Sequence, residues 1–543
     1  MIFGSLSSNY SQKEDIQYNI SDSWLVKRRR FRDIFRKKRY LQLNKFPYVC
    51  IMKKTLLILF TLLIAIDFAY SQLAIRRRIA TPKPADSLDI AFYAPKHGLR
   101  AGTMVFGINM GVWAFDRYIR KADFAYINLN TIKNNIKHGF VWDNDAMGTN
   151  MFMHPYHGNL YYNSARSNGY NYWQSGLFAF GGSFMWEMFM ENEYPSTNDI
   201  IATPIGGMAL GEVTYRMSDL ILDDRKTGWS RFGLEVAAFV VSPMRGLTRI
   251  INGDAWRRRS TSGKQFGVPD VSIEVSAGIR TLELKDEILD KGMGLATEIN
   301  IEYGDRFDVK DTKPYDYFSI EANLNWQAEQ PILGQVNIIG RLMAKELVNN
   351  RKHYLSLGLY QHFDYYDSDT ISAVSAKVPY KFCTPASVGG GLIYKRNLKR
   401  NWAIDGYAYL NAILLGGALS DYYKVDERIY NLASGYSSKL NFNFTYKDRF
   451  SITTIYELYH LFTWKGYSKD IDWNHADPKT LNAQGDKSRA ILHAVGIRLD
   501  ARLRKQLYLT GTFMNYTRDT KYKYYDNVFS NTSEGRIMLT YKY

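Results

Sequence analysis

The chain has 543 residues, of which 46% are hydrophobic and 15% aromatic, and its formal net charge is +17. This composition excludes a disordered or collagen-like chain. Two cysteines are too few for a disulfide scaffold or for a zinc site built from repeated cysteine pairs.

Residues 52–71 have the pattern of a secretory signal peptide. Two lysines precede an apolar run at 55–66, and Ala69-Tyr70-Ser71 forms a small-x-small cleavage site. The run is shorter than the ~20 residues that a membrane-spanning helix needs. An export signal normally begins a chain, so we interpret residues 1–51 as a mis-called N-terminal extension.

Removing both segments changes the charge balance. Residues 1–51 contribute +7 and residues 52–71 contribute +1 to the total of +17, so the remainder carries +9. A mild basic excess spread over a chain of this length does not predict nucleic-acid binding.

Residues 72–100 are expected to form a periplasmic N-terminal segment, and residues 101–118 the first strand of a barrel. The next convincing strand begins near residue 230, which is too far away for a hairpin loop. Residues 119–228 are therefore interpreted as a helical insert between the first two strands. Its clearest helices are expected at 176–190 and 198–224, the second with an N-cap at 196–198.

The insert carries a series of short polar and glycine motifs. They are Trp142-Asp143, His154-Pro155-x-x-Gly158, Tyr161-Tyr162, Ala165-Arg166-x-x-Gly169, Ser183-x-x-Trp186-Glu187-x-x-x-Glu191, Pro195-Ser196-x-Asn198-Asp199 and Thr203-Pro204-x-Gly206-Gly207-x-x-x-Gly211-Glu212. Together these motifs resemble a known family, the Gram-negative outer-membrane β-barrel proteins of the Bacteroidota type that bear a domain of unknown function. The resemblance covers roughly residues 140–225 and implies an envelope location and a helical insert, but no established activity.

One hypothesis for these residues is a lipid-modifying hydrolase or acyltransferase. A serine hydroxyl becomes a nucleophile when a base lies within about 3 Å, although no G-x-S-x-G elbow surrounds the serine of the insert. The two histidines flank Pro155 and are expected on a turn. The candidate catalytic residues are His154, His157, Ser183, Glu187 and Asp199.

A metal site would use the same histidines with Glu187, Glu191, Asp199 and Glu212, but their spacing matches no recognised ligand motif. We therefore expect no metal and no cofactor.

The alternative is a purely structural role, because ion-pair networks imitate functional sites. Glu212, Arg216 and Asp219 are spaced i, i+4 and i+7, which puts them on one helix face that could dock against the barrel lumen. The residues assigned to a binding or structural network are Arg166, Glu191, Glu212, Arg216 and Asp219.

Residues 229–543 are expected to form the remainder of the barrel, because they alternate apolar and polar side chains with a period of two. In residues 295–303, for example, Leu295, Ile299 and Ile301 lie opposite Glu298 and Asn300. Fourteen candidate strands, including the first, lie near 102–115, 230–243, 268–283, 293–304, 316–327, 333–346, 353–366, 386–397, 401–415, 437–447, 449–463, 488–500, 504–517 and 533–543.

A soluble sandwich also alternates, but many of these segments exceed the ~5–6 residues of sandwich strands. Aromatic residues crowd the segment ends, as membrane barrels require, and the chain ends on Tyr543 within an alternating segment. A sheet can face hydrocarbon only when it closes, because an open edge leaves backbone groups unpaired. We therefore predict an all-β transmembrane antiparallel barrel of about 12–14 strands with the helical insert.

The expected location is the outer membrane, and the expected partners are outer-membrane lipid and the barrel-assembly machinery, with no nucleic acid. The favoured role is action on envelope lipid or glycolipid through the polar residues of the insert. The alternatives are a gated or ligand-selective conduit, or a structural barrel whose insert is held by ion pairs. Whether the protein is an enzyme stays open at this point.

Overall fold

The computed structural model describes most of the chain after residue 94. The expected N-terminal extension, the signal peptide and most of the periplasmic segment lie outside the described residues and stay predictions. The described residues are 95–284, 287–288, 293–310, 312–326, 330–368, 380–398, 401–422, 428–472, 475–476 and 481–543.

Twelve long strands form a closed antiparallel barrel in the described part of the chain. Each strand pairs with the next along the chain, and the last pairs with the first, so the predicted fold class is confirmed. A two-residue strand, Glu287–Ile288, extends the first hairpin. The twelve strands are β1 (Val271–Leu284), β2 (Gly294–Tyr303), β3 (Phe318–Asn325), β4 (Leu333–Asn349), β5 (His353–Asp367), β6 (Lys381–Asn397), β7 (Trp402–Leu419), β8 (Tyr430–Tyr446), β9 (Phe450–Phe462), β10 (Ser488–Arg504), β11 (Leu507–Tyr522) and β12 (Val528–Lys542).

Seven α-helices precede β1 in the described residues, and we call residues 98–251 the helical domain. No helix in this part of the chain is both long and apolar enough to cross a membrane. The helices are α1 (Gly98–Ala114), α2 (Leu129–His138), α3 (His154–Arg166), α4 (Tyr172–Phe189), α5 (Asp199–Ile221), α6 (Gly228–Val241) and α7 (Pro243–Ile251).

The prediction that residues 101–118 form the first strand is wrong, and so is the placement of the insert between two strands. Residues 101–114 belong to α1, which continues into a π-helical turn, Phe115–Arg120. The buried residues Ala101, Met104 and Val105 follow helical spacing rather than alternation. A short apolar run does not distinguish a strand from a buried helix.

The candidate strand at 230–243 is also wrong, because this segment lies in α6. Its exposed residues Trp229, Phe232 and Val236 are three and four positions apart, which places them on one face of the helix, and Ala238 lies on the opposite, buried face. Both faces are therefore apolar. Without a polar face the helical period is hidden, and a short apolar run of this kind does not distinguish a helix from a strand.

The barrel strands alternate as expected, with polar side chains turned inward and apolar side chains turned outward. Lys439 of β8 pairs with Asp364 of β5 at 2.5 Å, and Arg280 of β1 pairs with Glu534 of β12 at 3.0 Å. The outward residues include Leu410, Phe513 and Ile537, which are 65%, 51% and 60% exposed. This is the arrangement of a barrel whose exterior faces acyl chains.

The helical domain packs against the outer wall of the barrel, so the expectation that it docks in the lumen is wrong. On β5, Gln361, Phe363 and Tyr365 point away from the inward residue Asp364. Tyr172 of α4 donates to Gln361 at 2.5 Å, and Phe152 contacts the rings of Phe363 and Tyr365. One hydrophobic core joins the two parts; its members include Tyr161, Ala202 and Ala209 of the helices and Phe318, Ile338 and Leu415 of the strands.

Helix α5 is the centre of the helical domain, and its glycines allow α3 to approach closely. A Cβ atom added to Gly158 of α3 would lie 1.8 Å from the carbonyl oxygen of Thr203. A Cβ on Gly207 would lie 2.5 Å from the carbonyl carbon of Gly158. The glycines of 206–211 therefore serve the close packing of α5 against α3.

The two ends of the barrel differ in their connections. At one end, residues 350–352, 447–449 and 505–506 form short turns, whereas links at the other end span 368–380, 420–429 and 463–487. In outer-membrane barrels the short turns face the periplasm and the long loops face outward. We call these the short-turn end and the long-loop end.

Candidate functional site

Four polar side chains from different segments meet where α3 and α5 begin. His154 is the first residue of α3 and Asp199 the first residue of α5, whereas Glu187 lies in the last turn of α4. Asp143 comes from the segment between α2 and α3. We call Asp143, His154, Glu187 and Asp199 the His–carboxylate cluster.

Local backbone contacts bring these segments together. The Val141 N–H donates to the Pro195 carbonyl at 2.8 Å, and the Thr197 N–H donates to the Val141 carbonyl at 2.7 Å. The Ser196 hydroxyl accepts from the Asp199 N–H at 3.2 Å, which caps the start of α5 as predicted. A π-helical turn, Thr149–Met153, runs directly into α3, so Pro155 follows a widened helical turn rather than a free helix end. The two histidines therefore lie on a helix, and their predicted placement on a turn is wrong.

Three of the four side chains come within ligand distance of one another. One atom each of His154, Glu187 and Asp199 lies within 4.8 Å of the other two. His154 Nε2 is 3.6 Å from Asp199 Oδ2, which is longer than a hydrogen bond. Glu187 and Asp199 are only 2% and 3% exposed.

Fixed donors hold one oxygen of each carboxylate. The Ser196 N–H donates to Glu187 Oε2 at 2.7 Å, and Asn198 Nδ2 donates to Asp199 Oδ1 at 3.0 Å. Asn150 Nδ2 donates to Asp143 Oδ1 at 2.6 Å. The orientation of the cluster is therefore set by neighbours that are themselves anchored in the helical domain.

The cluster contains three carboxylates that no Lys or Arg side chain of the described residues pairs with. Among the described residues, no Lys or Arg nitrogen lies within ion-pair distance of these three carboxylates, and His154 is the only ion-pair partner of Asp199. Burial, together with the charge of Asp143, raises the pKa of Glu187 to about 8 although the Ser196 N–H acts against this. Burial and the charges of Asp143 and Glu187 likewise raise the pKa of Asp199, whereas burial lowers the pKa of His154.

Other predicted catalytic residues lie beside the cluster but make different contacts. The Ser183 hydroxyl donates to the carbonyl of Asp199 at 3.3 Å, and no described contact joins it to a histidine nitrogen. His157 packs against the rings of Tyr161 and Trp186. The described contacts therefore do not assemble the hypothesised serine triad.

The network residues form a second charged site, which we call the arginine clamp and define as Arg166, Glu212 and Arg216. Arg166 and Arg216 each contact Glu212 at 2.8 Å, and the Tyr162 hydroxyl donates to the same carboxylate at 2.7 Å. Burial acts to raise the pKa of Glu212, but the two guanidinium groups outweigh it and lower this pKa to about 2. Arg166 of α3 therefore pairs across the helical domain with Glu212 of α5, and Glu212 also pairs with Arg216 on its own helix.

Two network residues lie outside the clamp. Asp219 pairs with Arg245 of α7 at 2.5 Å, so it ties α5 to a neighbouring helix instead of continuing the clamp. Glu191 follows α4 and accepts from the indole N–H of Trp186 at 2.5 Å. Burial and the charge of Glu187 raise the pKa of Glu191.

The sequence interpretation did not include Asp143, Asn150 and Asn198 among the site residues. Asp143 and Asn198 do occur in the motifs that carry the family resemblance, so the motifs could have identified them as site residues. Asn150 stands outside every motif. Its contacts to Asp143 and to Tyr430 of β8 depend on the docking of the helical domain on the barrel.

The His–carboxylate cluster lies near the long-loop end of the barrel. Arg428, in the link before β8, donates to the Asp143 carbonyl. Asn482, in the link before β10, accepts from the Trp142 N–H at 3.1 Å. The arginine clamp lies nearer the opposite end, because Arg216 donates to the carbonyl of Pro314 at 2.9 Å.

Comparison with known proteins assigns no activity to this chain. Residues 139–244 match a family described as a domain of unknown function (DUF3943), which confirms the resemblance in its general form. No curated protein matches.

Solved structures that resemble the chain include the NanC porin, with 11% identity, a TM-score of 0.24 and coverage of 50% of this chain and 98% of that one. The toluene transporter TbuX of Ralstonia pickettii has 9% identity, a TM-score of 0.21 and coverage of 51% and 89%. The KdgM porin has 10% identity, a TM-score of 0.19 and coverage of 50% and 98%.

Proposed function

We propose that the protein is an outer-membrane barrel whose helical domain acts on an envelope lipid or glycolipid at the His–carboxylate cluster. The observation that carries the proposal is the docking of the helical domain on the outer wall. In a membrane barrel this wall is otherwise covered by acyl chains. A polar site in a domain at this position is therefore adjacent to lipid.

The free surface of the helical domain supports a lipid neighbourhood. On α4, Trp173, Leu177, Phe180 and Phe184 are 51%, 72%, 50% and 38% exposed, and their spacing of three and four residues places them on one face. An exposed apolar face of this size on a soluble domain would be a liability, whereas a face toward acyl chains is stable there. Other exposed apolar residues of the domain are Phe106, Trp229, Phe232, Phe239, Ile250 and Ile251.

The same helix connects this apolar face to the cluster. Glu187 follows Phe184 by three residues, so on α4 this buried carboxylate adjoins the exposed aromatic stripe. The cluster therefore lies within about one helix diameter, about 10 Å, of the surface that we assign to lipid. Because it lies near the long-loop end, we expect it at the level of the outer leaflet.

Convergent polar groups beside an apolar surface are the usual arrangement of a site for an amphiphilic substrate. The cluster offers an imidazole and three carboxylates for binding, orientation or proton transfer at an ester or phosphate group. Ser183 is not required for this chemistry, because its hydroxyl is bonded to the Asp199 carbonyl.

The lipid profile of the outer membrane tests this proposal. The full chain, Glu187→Gln and His475→Gln are produced at equal amounts in a Gram-negative host, and lipid and glycolipid masses are compared with those of the empty host. We expect the native chain to change at least one lipid species and Glu187→Gln to restore the profile of the host. His475→Gln serves as the control because His475 is an exposed residue paired with Asp472, outside the helical domain. Identical profiles in all four strains, with folded protein in the membrane, would contradict the proposal.

A gated conduit is the second candidate, and the polar lumen is the observation that favours it. Ion pairs between distant strands join the inner wall, such as Arg498 of β10 with Glu274 of β1 at 3.0 Å and Arg536 of β12 with Glu298 of β2 at 3.5 Å. Passage of a solute requires these pairs to separate. We expect Glu298→Ala to increase ion conductance in planar bilayers if the lumen conducts, and unchanged, negligible conductance of both proteins would exclude this role.

A further inference from the structure

We propose that the His–carboxylate cluster is a binding site for one divalent transition-metal cation, with His154, Glu187 and Asp199 as its protein ligands and Asp143 beside them. The geometry of the three side chains is the first argument. Ligand atoms bind Zn²⁺ at about 2.0–2.2 Å, so two ligands of one ion lie about 3–4 Å apart. The 3.6 Å between His154 Nε2 and Asp199 Oδ2 matches this separation, and all three ligand atoms lie within 4.8 Å of one another.

The charge of the cluster is the second argument. Glu187 and Asp199 are buried, Asp143 adjoins Asp199, and no Lys or Arg of the described chain pairs with them. Buried charges are normally paired or coordinate a metal. The arginine clamp shows that this chain supplies guanidinium groups where it buries a carboxylate for structure, and the cluster lacks them.

The surrounding hydrogen bonds form the third argument. Ligating carboxylates in proteins are held by outer partners that orient them toward the ion. Here Ser196 N–H holds Glu187 Oε2 and leaves Oε1 for a ligand, whereas Asn198 holds Asp199 Oδ1 and leaves Oδ2 facing His154. Each free oxygen is thus separate from the oxygen that is anchored.

Unpartnered buried atoms beside the cluster point to the same conclusion. Asn150 is fully buried, and its Oδ1 has no hydrogen-bond partner, although the Nδ2 of the same amide donates to Asp143. His157 lies one helical turn after His154, and its Nε2 is also buried without a partner. Native proteins leave few such atoms unsatisfied, and an ion with its bound water can supply the missing partners.

The donor set indicates the class of metal. Imidazole nitrogen suits Zn²⁺ and other transition metals, carboxylate oxygen also suits Mn²⁺, and an all-oxygen site would favour Mg²⁺ or Ca²⁺. One nitrogen with two or three carboxylates therefore favours Zn²⁺ or Mn²⁺. A catalytic use of the ion, such as polarising an ester or phosphoryl oxygen, rests on the proposed function, whereas binding does not.

Metal binding to the purified protein tests the inference directly. The full barrel is purified in detergent without a polyhistidine tag, stripped with EDTA and titrated separately with ZnCl₂ and MnCl₂, with bound metal counted by mass spectrometry. We expect about one ion per chain for at least one metal, and at least ~10-fold weaker binding in Glu187→Gln and Asp199→Asn. His475→Gln is the matched control, because it removes an exposed histidine 2.6 Å from a carboxylate and should leave binding unchanged.

Several outcomes would overturn the inference. If neither Zn²⁺ nor Mn²⁺ binds stoichiometrically to the folded native chain, the inference is wrong, whatever the variants do. Equal metal affinity of the native chain and of folded Glu187→Gln or folded Asp199→Asn would also overturn the inference. The gel mobility of unheated barrels shows whether each protein is folded. Metal binding without any lipid change keeps the site and contradicts the proposed lipid role, whereas a lipid change that is insensitive to EDTA contradicts only a catalytic use of the ion.

Discussion

The helical domain contains two buried carboxylate sites that share α3 and α5 and differ in one respect. In the arginine clamp, Glu212 lies between two guanidinium groups. In the His–carboxylate cluster, Glu187 and Asp199 have a histidine and further carboxylates as neighbours. Burial is similar at both sites, so burial alone does not separate structure from function.

The direction of the pKa shifts follows from this difference. Burial raises the pKa of every carboxylic acid, and in the clamp the adjacent guanidinium groups reverse the effect for Glu212. In the cluster nothing reverses it for Glu187. The clamp is charged and satisfied by the chain itself, whereas the cluster needs protons or a cation from outside. We infer that the clamp holds the fold and that the cluster is available for binding.

The substitution with the largest expected effect is Gly158→Ala, which disrupts both sites together. Gly158→Ala puts a methyl group against the backbone of Thr203, so α3 cannot approach α5. We expect the helical domain to lose more than about 4 kcal/mol of unfolding free energy, a cost that single substitutions reach only by such mechanisms. The rate of protease cleavage within residues 139–244 under native conditions measures this loss of stability.

The matched control for this change is Gly181→Ala on α4, where an added Cβ meets nothing within 4 Å. Alanine is the better helix former, so this variant should gain up to about 1 kcal/mol. Equal protease resistance of the two variants would show that the close approach of α3 and α5 does not hold the domain together.

The second effect distinguishes the clamp from the cluster. Glu212→Gln leaves the guanidinium groups of Arg166 and Arg216 buried without their counter-charge. Removing one partner of a buried ion pair costs about 3–5 kcal/mol of unfolding free energy. Denaturant unfolding followed by tryptophan fluorescence measures the loss. Arg257→Gln is the control, because Arg257 is 60% exposed, and an exposed pair contributes about 1 kcal/mol or less. Equal losses in both variants would refute the structural role of the clamp.

These variants also show how much of the molecule the sequence could predict. The barrel was predictable because period-two alternation appears only when one side of a strand meets apolar surroundings and the other a polar interior. The docking of the helical domain was not. Phe363 and Tyr365 face outward like lipid-facing residues of any barrel, and Phe152 covers them with the same apolar chemistry that acyl chains would supply.

The arginine clamp was more predictable than the His–carboxylate cluster, because the Glu212–Arg216 pair of the clamp depends on spacing within one helix and the cluster depends on packing. Glu212 and Arg216 lie four residues apart on one helix, so their pairing follows from helical spacing. The cluster depends on three helix ends and a connecting segment that meet only after packing. Asp143 and Asn150 were therefore not predicted as site residues, although His154, Glu187 and Asp199 were identified from the motifs.

The third effect is the pH dependence of the clamp. The pKa of Glu212 falls from an ordinary 4.5 to about 2 on folding. A lowered pKa stabilises the fold above the unfolded value, and this contribution, about 3 kcal/mol, disappears as the pH falls from about 4.5 toward 2. The stability difference between the native chain and Glu212→Gln should therefore be constant from pH 7 to 5 and shrink below pH 4.5. A difference that is unchanged at pH 2.5 would contradict the charged clamp.

The smallest effect on stability belongs to Glu187→Gln, measured in EDTA. The amide oxygen of glutamine still accepts from the Ser196 N–H, and the substitution removes a carboxylate that has no basic partner. We expect the free energy of unfolding to change by less than about 1 kcal/mol, whereas Glu212→Gln loses several. Added Zn²⁺ should then stabilise the native chain, by about 2.7 kcal/mol at 100 times the dissociation constant, and leave Glu187→Gln unchanged. A loss above about 2 kcal/mol in EDTA would place Glu187 with the structural residues of the clamp, because a site prepared for an external cation should not depend on its carboxylate to fold.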